Sequence, residues 1–157
     1  MTLRLAEVFR HVLDHSSRPL TSIRDEIDFL RTYLYIEEVR FGDRLQVRID
    51  VPQELESSQI PSLILQPLVE NALKHGLGPK PGPGHLTITV RADGDHLYMT
   101  VEDDGMGLAE RQSKGLGLAN VAERLQTLYQ DRGGVTLGPR EGGGSIATVT
   151  IPRSKEI

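Results

Sequence analysis

A strand that ends in two aspartates and leads through glycines into a helix constrains this chain more than any other feature. The stretch is "VEDDGMGLAERQSKGLGLAN", from Val101 to Asn120. Glycine lets a backbone approach another group closely, and the N–H groups at a helix N-terminus attract anions. A carboxylate at the rim of such a junction can accept a hydrogen bond from an exocyclic amine. The stretch therefore predicts a ligand pocket, although a turn followed by a helix cap would also explain it.

Composition limits the kind of protein this chain can be. Its 157 residues, 38% hydrophobic and 25% charged, suit one globular domain. No cysteine is present, which excludes disulfides and thiolate metal sites and fits a reducing compartment. The net charge of −4 gives no reason to expect nucleic acid. No apolar run approaches the roughly 20 residues of a membrane span. We therefore expect a cytoplasmic chain, which could be the soluble end of a membrane-anchored protein.

The hydrophobic pattern predicts an α+β fold. Two amphipathic helical segments come first, followed by strand, helix, strand, strand, helix, strand and strand. Ser22, three residues before Asp25, is a candidate cap for the second helix. Hairpin-joined strands with helices between them favour a two-layer α/β sandwich, with helices on one face of a mixed, mostly antiparallel sheet. We place an N-terminal helical connector at residues 1–41 and a second domain at residues 42–157.

The segment "SLILQPLVENALKHG" predicts an apolar helix that ends in polar groups at Gly76. Asn71 and His75 are four residues apart and share one helical face, with Lys74 beside them. A carboxamide oxygen suits Mg²⁺, and an ammonium group suits phosphate. Taken singly, each of these residues could instead cap the helix or bind a loop. Pro67 is expected to kink this helix, because an interior proline removes a backbone hydrogen bond.

Three motifs in this order resemble the GHKL, or Bergerat, ATP-binding fold of histidine kinases, gyrase, a class of heat-shock chaperones and mismatch-repair clamps. "LQPLVENALKHG" resembles the N box of that fold, "DDGMG" its G1 box and "GLGL" its G2 box. "LRTYLYIEEVRFGDRLQVRIDV" and "GLGLANVAERLQTLY" are similar, more narrowly, to LytS-type sensor histidine kinases. The resemblance extends from about residue 3 to residue 151. It implies a Bergerat fold that binds ATP and Mg²⁺.

The resemblance also implies roles for single residues. Asn71 would ligate the Mg²⁺ that bridges the ATP phosphates. Asp104 would accept a hydrogen bond from the adenine amino group, and Gly107 would shape the base pocket. Arg124 matches the family pattern too, although a place on the helix surface is an open alternative. The full implied nucleotide-binding set is Asn71, Lys74, His75, Asp104, Gly105, Gly107, Gly115, Leu116, Gly117 and Leu118.

One departure from the family pattern concerns hydrolysis. Members that hydrolyse ATP carry a glutamate one helical turn before the N-box asparagine, where this chain has Pro67. Glu70 directly precedes Asn71 and is rotated about 100° from it around the helix. A histidine acceptor needs no water-activating base, because positioning and charge neutralisation supply most of phosphoryl-transfer catalysis. The sequence therefore favours transfer to a partner group, with no certain catalytic residue in this chain.

The second departure is the missing acceptor. LytS-type kinases carry their phospho-acceptor histidine in a "PHFLFN"-like motif, which this sequence lacks. His11 and His15 are spaced to share a helical face, but surface histidines on such helices are common. We expect the acceptor histidine on another region of a full-length, homodimeric kinase, with a response regulator downstream. The alternatives are an ATP-gated switch or ATPase of the same fold, and a nucleotide-binding module without transfer activity.

Overall fold

In the computed structural model, which describes residues 19–78, 81–106 and 118–153, three helices accompany a five-stranded sheet and a two-stranded sheet. The elements in chain order are β1 (Leu20–Ser22), α1 (Ile23–Phe41), β2 (Leu45–Asp50), β3 (Gln59–Pro61), α2 (Gln66–Asn71), β4 (Gly84–Asp93), β5 (His96–Asp103), α3 (Leu118–Tyr129), β6 (Gly134–Pro139) and β7 (Ser145–Pro152). Single 3₁₀ turns lie at Gly42–Arg44, Gln53–Leu55 and Gln130–Arg132.

The larger sheet has the strand order β2-β4-β5-β7-β6. Only β2 and β4 pair in parallel, and the other three pairings are antiparallel. The predicted α+β class, with a mixed and mostly antiparallel sheet, is therefore confirmed. β4 and β5 meet through the expected tight turn, in which Gly94 has a φ of +63° that an L side chain rarely adopts. None of the described helices is long and apolar enough to cross a bilayer.

Strict alternation of side chains sets the two faces of this sheet. Every second residue of β5 is buried, beginning with Leu97, Met99 and Val101. β4 buries Leu86, Ile88 and Val90 in the same way, with threonines between them. These residues form one hydrophobic cluster with the buried side chains of all three helices.

The helix α1 begins at the predicted cap, where Ser22 Oγ accepts a hydrogen bond from the Asp25 N–H at 3.1 Å. Its apolar stripe, with Ile23, Leu30 and Leu34, lies in the same core as the sheet. The domain boundary predicted after residue 41 stays a prediction. That boundary would assign α1 and the core in which it is buried to different domains. The first predicted helical segment, with His11 and His15, lies outside the described residues.

The short strands β1 and β3 pair antiparallel and were not predicted, because three residues are too few to show an alternating pattern. Their pairing brings the start of α1 beside the segment that leads into α2. Leu63, in that segment, has a φ of +62°. α2 therefore begins at Gln66 rather than Ser62, and Pro67 lies in its first turn, where no backbone donor is needed. The expected kink at Pro67 is wrong for this reason.

Candidate functional site

Asn71 is the last residue of the α-helical part of α2 and carries a buried, unsatisfied amide. The residue is 6% exposed, and neither Oδ1 nor Nδ2 has a hydrogen-bond partner within the described ranges. A buried polar group without a partner is destabilising by about 1–3 kcal/mol. Native structures keep few such groups, often at functional sites. A free amide oxygen is a suitable ligand for a hard cation, so this residue fits the predicted Mg²⁺ role.

From Ala72 to Leu77 the helix widens into a π-helix. Such segments are rare and frequently lie at functional sites. This one places Gly76 against the end of β5 and the loop that follows it. The Gly76 carbonyl accepts a hydrogen bond from Met106 N–H at 2.9 Å. A Cβ on Gly76 would lie 2.5 Å from Asp103 Oδ1, and a Cβ on Gly105 would clash with the Gly76 carbonyl. The two glycines therefore allow the helix and the loop to touch through their backbones.

Asp103 occupies the last inward position of β5, after three apolar residues on that face. It is 2% exposed, and its Oδ1 accepts a hydrogen bond from Gly105 N–H at 3.0 Å. A carboxylate is strongly disfavoured in an apolar core unless polar partners surround it. Its position marks the end of β5, beneath the π-helix, as the polar part of an otherwise apolar layer.

Asp104 follows the strand and is bound to His85 at the start of β4. Its Oδ1 accepts a hydrogen bond from His85 N–H at 2.8 Å, and its Oδ2 lies 2.7 Å from His85 Nδ1. The Asp104 N–H also donates to the His85 carbonyl at 3.3 Å. Both Asp104 carboxylate oxygens thus contact His85. These contacts connect the loop after β5 to the start of β4. The predicted adenine contact of Asp104 stays a prediction.

Ser145, the first residue of β7, was missed by the sequence analysis. Its side chain is fully buried, and its Oγ has no hydrogen-bond partner among the residues that the structure describes. It lies opposite Asp103 in the β5–β7 ladder. The preceding Gly144, at a φ of +97°, packs against the backbone of Asp103 and Asp104. The three glycines at residues 142–144 all have a positive φ in the turn between β6 and β7, and they bring the chain close to the end of β5.

The remaining predicted residues divide into placed and unplaced ones. Lys74 is exposed and His75 is half-buried, both in the π-helical segment. Leu118 is buried at the start of α3. Four predicted glycine-loop residues lie outside the described residues, so their roles stay predictions: Gly107, Gly115, Leu116 and Gly117.

Arg124 has an electrostatic partner on another helix, while its role in the site stays a prediction. It is half-buried on α3 and acts electrostatically on Glu26 of α1. The Glu26 carboxylate is 3% exposed and accepts hydrogen bonds from Leu63 N–H at 2.9 Å and Leu65 N–H at 3.0 Å. Burial raises the pKa of Glu26, while the backbone donors and Arg124 oppose that rise. Glu26 thus joins α1 to the segment that leads into α2, and the charge of Arg124 on α3 favours its ionised form.

Two family models match the chain. The family described as histidine kinase-, DNA gyrase B-, and HSP90-like ATPase matches residues 57–155. The family described as histidine kinase matches residues 1–45. Together these matches cover the helix α1 and the strands β5 and β7, which carry Asp103 and Ser145.

Relatives with sequence similarity include sensor proteins of bacteria. Sensor histidine kinase BtsS of Escherichia coli strain K12 is 37% identical over 149 residues, which are 94% of this chain and 26% of BtsS. Sensor histidine kinase YesM of Bacillus subtilis is 31% identical over 91% of this chain and 26% of its own length. Sensor protein LytS of Enterococcus faecalis is 30% identical over 99% of this chain and 29% of its own. The chain therefore spans about a quarter of the length of these relatives.

Solved structures share the fold at lower sequence identity. The catalytic domain of histidine kinase ThkA is 18% identical, with a TM-score of 0.64 over 87% of this chain and 97% of that domain. Histidine kinase AdeS of Acinetobacter baumannii is 19% identical, with a TM-score of 0.63 over 97% of this chain and 78% of the AdeS chain.

Proposed function

Because the chain belongs to the family of histidine kinase-, DNA gyrase B- and HSP90-like ATPases, we propose that it binds ATP and transfers the γ-phosphate to a histidine outside this chain. The resemblance stated from the sequence is confirmed, as is the prediction of a catalytic domain of the sensor histidine kinase kind. The observation that carries the proposal is the unsatisfied, buried amide of Asn71, on the helix that contacts the glycine loop.

For adenine we propose Asp103, rather than Asp104, as the acceptor of the amino group. Asp103 is buried on the helix-covered face, whereas both Asp104 oxygens contact His85. The buried Ser145 hydroxyl lies opposite Asp103 and would be the second polar group at the base. A carboxylate paired with a hydroxyl can recognise an exocyclic amine together with its neighbouring ring nitrogen.

For the phosphates we propose Asn71 as the protein ligand of Mg²⁺, through its amide oxygen. The cation would neutralise phosphate charge, which supplies much of the catalysis in phosphoryl transfer. Lys74 is exposed in the π-helical segment, three residues after Asn71. Its ammonium group can act as a point charge toward phosphate. His75, Gly105 and Leu118 would line the same end of the site. Gly107, Gly115, Leu116 and Gly117 stay proposed nucleotide contacts on the ground of the family resemblance.

Transfer, rather than hydrolysis, is favoured by the residues around Asn71. Pro67 holds the position of a water-activating glutamate, and it lies in the first turn of α2. The neighbouring Glu70 accepts a hydrogen bond from Gln66 Nε2 at 3.1 Å. We therefore propose a phospho-acceptor histidine region, a response regulator and homodimerisation as properties of the full-length protein. An ATP-gated switch remains the second candidate, supported by the family's inclusion of such proteins.

The test begins with calorimetric titration of this chain with ATP, with and without Mg²⁺. Saturable binding that strengthens with Mg²⁺ is expected, followed by phosphorylation of a separately supplied acceptor segment. Absence of binding at about 1 mM ATP, which corresponds to roughly 4 kcal/mol, would contradict the proposal. Binding with ATP hydrolysis but no transfer would favour the ATP-gated switch.

A further inference from the structure

Four polar side chains on α1 and α2 form a group to which none of the predicted ligand contacts belongs. They are Tyr33 and Glu37 on α1 and Gln66 and Glu70 on α2. Each pair is spaced four residues apart, so both members of a pair lie on one face of their helix. We call these four residues the α1–α2 polar cluster.

Hydrogen bonds join the two members on each helix, and across the helices the charge of Glu70 acts on Tyr33. The Tyr33 hydroxyl donates to the Glu37 carboxylate. Gln66 Nε2 donates to Glu70 Oε2 at 3.1 Å, and Arg40 reaches Glu37 from the exposed side at 3.3 Å. Burial, followed by the negative charges of Glu37 and Glu70, raises the pKa of Tyr33 well above its usual range. Tyr33 thus stays neutral, bonded to the Glu37 carboxylate and within electrostatic reach of Glu70.

The cluster is not explained by stability. Tyr33, Glu37 and Gln66 are each about 95% buried, and Gln66 Oε1 has no hydrogen-bond partner in the described part of the chain. The helices bury apolar side chains on either side of it, including Leu30, Leu34, Leu68 and Val69. Replacing buried polar groups by apolar ones is often neutral or stabilising, whereas polar groups can fix one register of two helices. The cluster therefore suits a role in alignment.

One member of the cluster is the direct neighbour of Asn71 in the sequence. Glu70 lies in the last α-helical turn, directly before Asn71, and the π-helix begins at Ala72. Asn71 therefore lies at the point where the helix changes from α to π winding. No hydrogen bond among the described residues fixes the Asn71 amide itself. The hydrogen bond between Gln66 and Glu70 is a polar restraint on the turn that presents this amide.

We propose that the α1–α2 polar cluster positions the Asn71 amide, with Tyr33 and Glu70 as positioning residues rather than catalytic ones. The identity of the ligand that Asn71 receives rests on the proposed function, but the orientation of its amide does not. Outer-shell groups of this kind set the affinity of a metal ligand without touching the metal. In this arrangement α1 acts on the magnesium site through the cluster, so the position of α1 would influence nucleotide binding.

The first experiment reads the Asn71 amide directly, without any ligand. Tyr33→Phe removes only the hydroxyl from the cluster, and Tyr35→Phe is the matched control, since Tyr35 is 66% exposed on the same helix. The side-chain amide resonances of Asn71, identified by their loss in Asn71→Ala, are recorded in ¹⁵N-labelled protein. We expect the chemical shifts of these resonances to change in Tyr33→Phe and to remain unchanged in Tyr35→Phe. Unmoved resonances in Tyr33→Phe would overturn the inference.

The second experiment compares ATP affinity with Mg²⁺ and with a chelator. Tyr33→Phe and Glu70→Leu are expected to weaken Mg-ATP about tenfold, the lower end for outer-shell partners, and to weaken metal-free ATP by less than about twofold. Glu70→Gln keeps an oxygen that accepts from Gln66, so it should restore most of the affinity lost in Glu70→Leu. Equal losses with and without Mg²⁺, or lost transfer in Glu70→Gln with intact binding, would contradict a positioning role.

The two experiments separate the inference from the function on which it partly rests. If the unmodified chain binds no ATP, the proposed function fails, and the Asn71 resonances alone decide on the cluster. If the unmodified chain binds Mg-ATP and both Tyr33→Phe and Glu70→Leu do so equally well, the inference fails and the proposed function stands. Thermal unfolding of each variant identifies a substitution that acts only by loosening the fold.

Discussion

Ser145 lies opposite Asp103 in the antiparallel ladder of β5 and β7. Opposed residues of such a ladder project on the same face of the sheet. The two polar side chains therefore leave the sheet together, on the face that the helices cover. Both are buried, at 0% and 2% exposure. This relationship, rather than the pair of neighbouring aspartates, defines the polar end of the apolar layer.

Asp103→Asn should weaken ATP binding far more than Asp104→Asn. A hydrogen bond to a charged acceptor contributes about 1.5–3 kcal/mol, which corresponds to roughly ten- to a hundredfold in Kd. The two substitutions are adjacent and chemically identical, so each is the control for the other. Calorimetric titration of both variants with ATP is the measurement. A large loss in Asp104→Asn with an intact Asp103→Asn would restore the assignment made from the sequence.

Ser145→Ala should leave folding intact while lowering ATP affinity. The hydroxyl is buried without a partner among the described residues, so its removal should change the free energy of unfolding by less than about 1 kcal/mol. The affinity should fall by about the value of one neutral hydrogen bond, 0.5–1.5 kcal/mol. Thr148→Ala, on the opposite face of β7, is the matched control. Unchanged affinity in Ser145→Ala would remove this residue from the site.

Asn71→Leu should stabilise the protein and abolish the Mg²⁺ dependence of ATP binding. A buried, unsatisfied amide is replaced by an apolar side chain of similar size, for an expected gain of about 1 kcal/mol. For a domain of this size that corresponds to an increase in Tm of about 2–4 °C. Thermal unfolding and titration with and without Mg²⁺ measure the two effects. A lowered Tm would indicate that the amide has a structural partner.

Gly105→Ala should be strongly destabilising, because its Cβ would clash with the Gly76 carbonyl. Overpacking against a rigid backbone is destabilising by about 1–3 kcal/mol. Gly134→Ala is the control, since a Cβ there meets nothing within 4 Å and no positive φ is involved. Urea unfolding of the two variants measures the difference. Equal stabilities would mean that the loop can move away from the π-helix without loss.

A chain that begins at Pro19 should fold, and one that begins at Gly42 should not. The shorter chain lacks α1, which buries Ile23, Leu30 and Leu34 in the common core. Each such side chain contributes about 1.5–3 kcal/mol, so their loss approaches the entire stability of a typical domain, about 5–15 kcal/mol. Circular dichroism and amide dispersion in NMR spectra distinguish the two chains. A folded 42–157 fragment would support the predicted division after residue 41.

The parts of the fold that the sequence predicts are those with long periodic patterns. The alternation in β4 and β5, the cap at Ser22 and the turn at Gly94 are all local signals, and the structure contains each of them. The strands β1 and β3 are too short to have a pattern. The widening of α2 into a π-helix depends on tertiary contacts at Gly76, which no local propensity describes.

The inward position of Asp103, on which its proposed adenine contact depends, was within reach of the sequence. In a strand with a period of two, Val101 and Asp103 point to the same face and Asp104 points to the other. Counting from the buried Leu97 would have selected Asp103. The motif alone does not carry this information, because both aspartates precede the same glycine. Ser145, in contrast, becomes visible only through its register with β5.

Among the described strands, β2 and β6 form the edges of the larger sheet, and both are poorly suited to recruit another strand. β6 carries two glycines and ends at Pro139, which has no N–H to donate. β2 exposes Gln46, Arg48 and Asp50 at alternate positions, and charged side chains on an edge discourage strand addition. Fibrous or continuous-sheet association of these domains is therefore disfavoured from either side. If two copies meet as in the proposed homodimer, they would use surfaces other than these edges, so that assembly and dissociation would leave the pairing within each sheet unchanged.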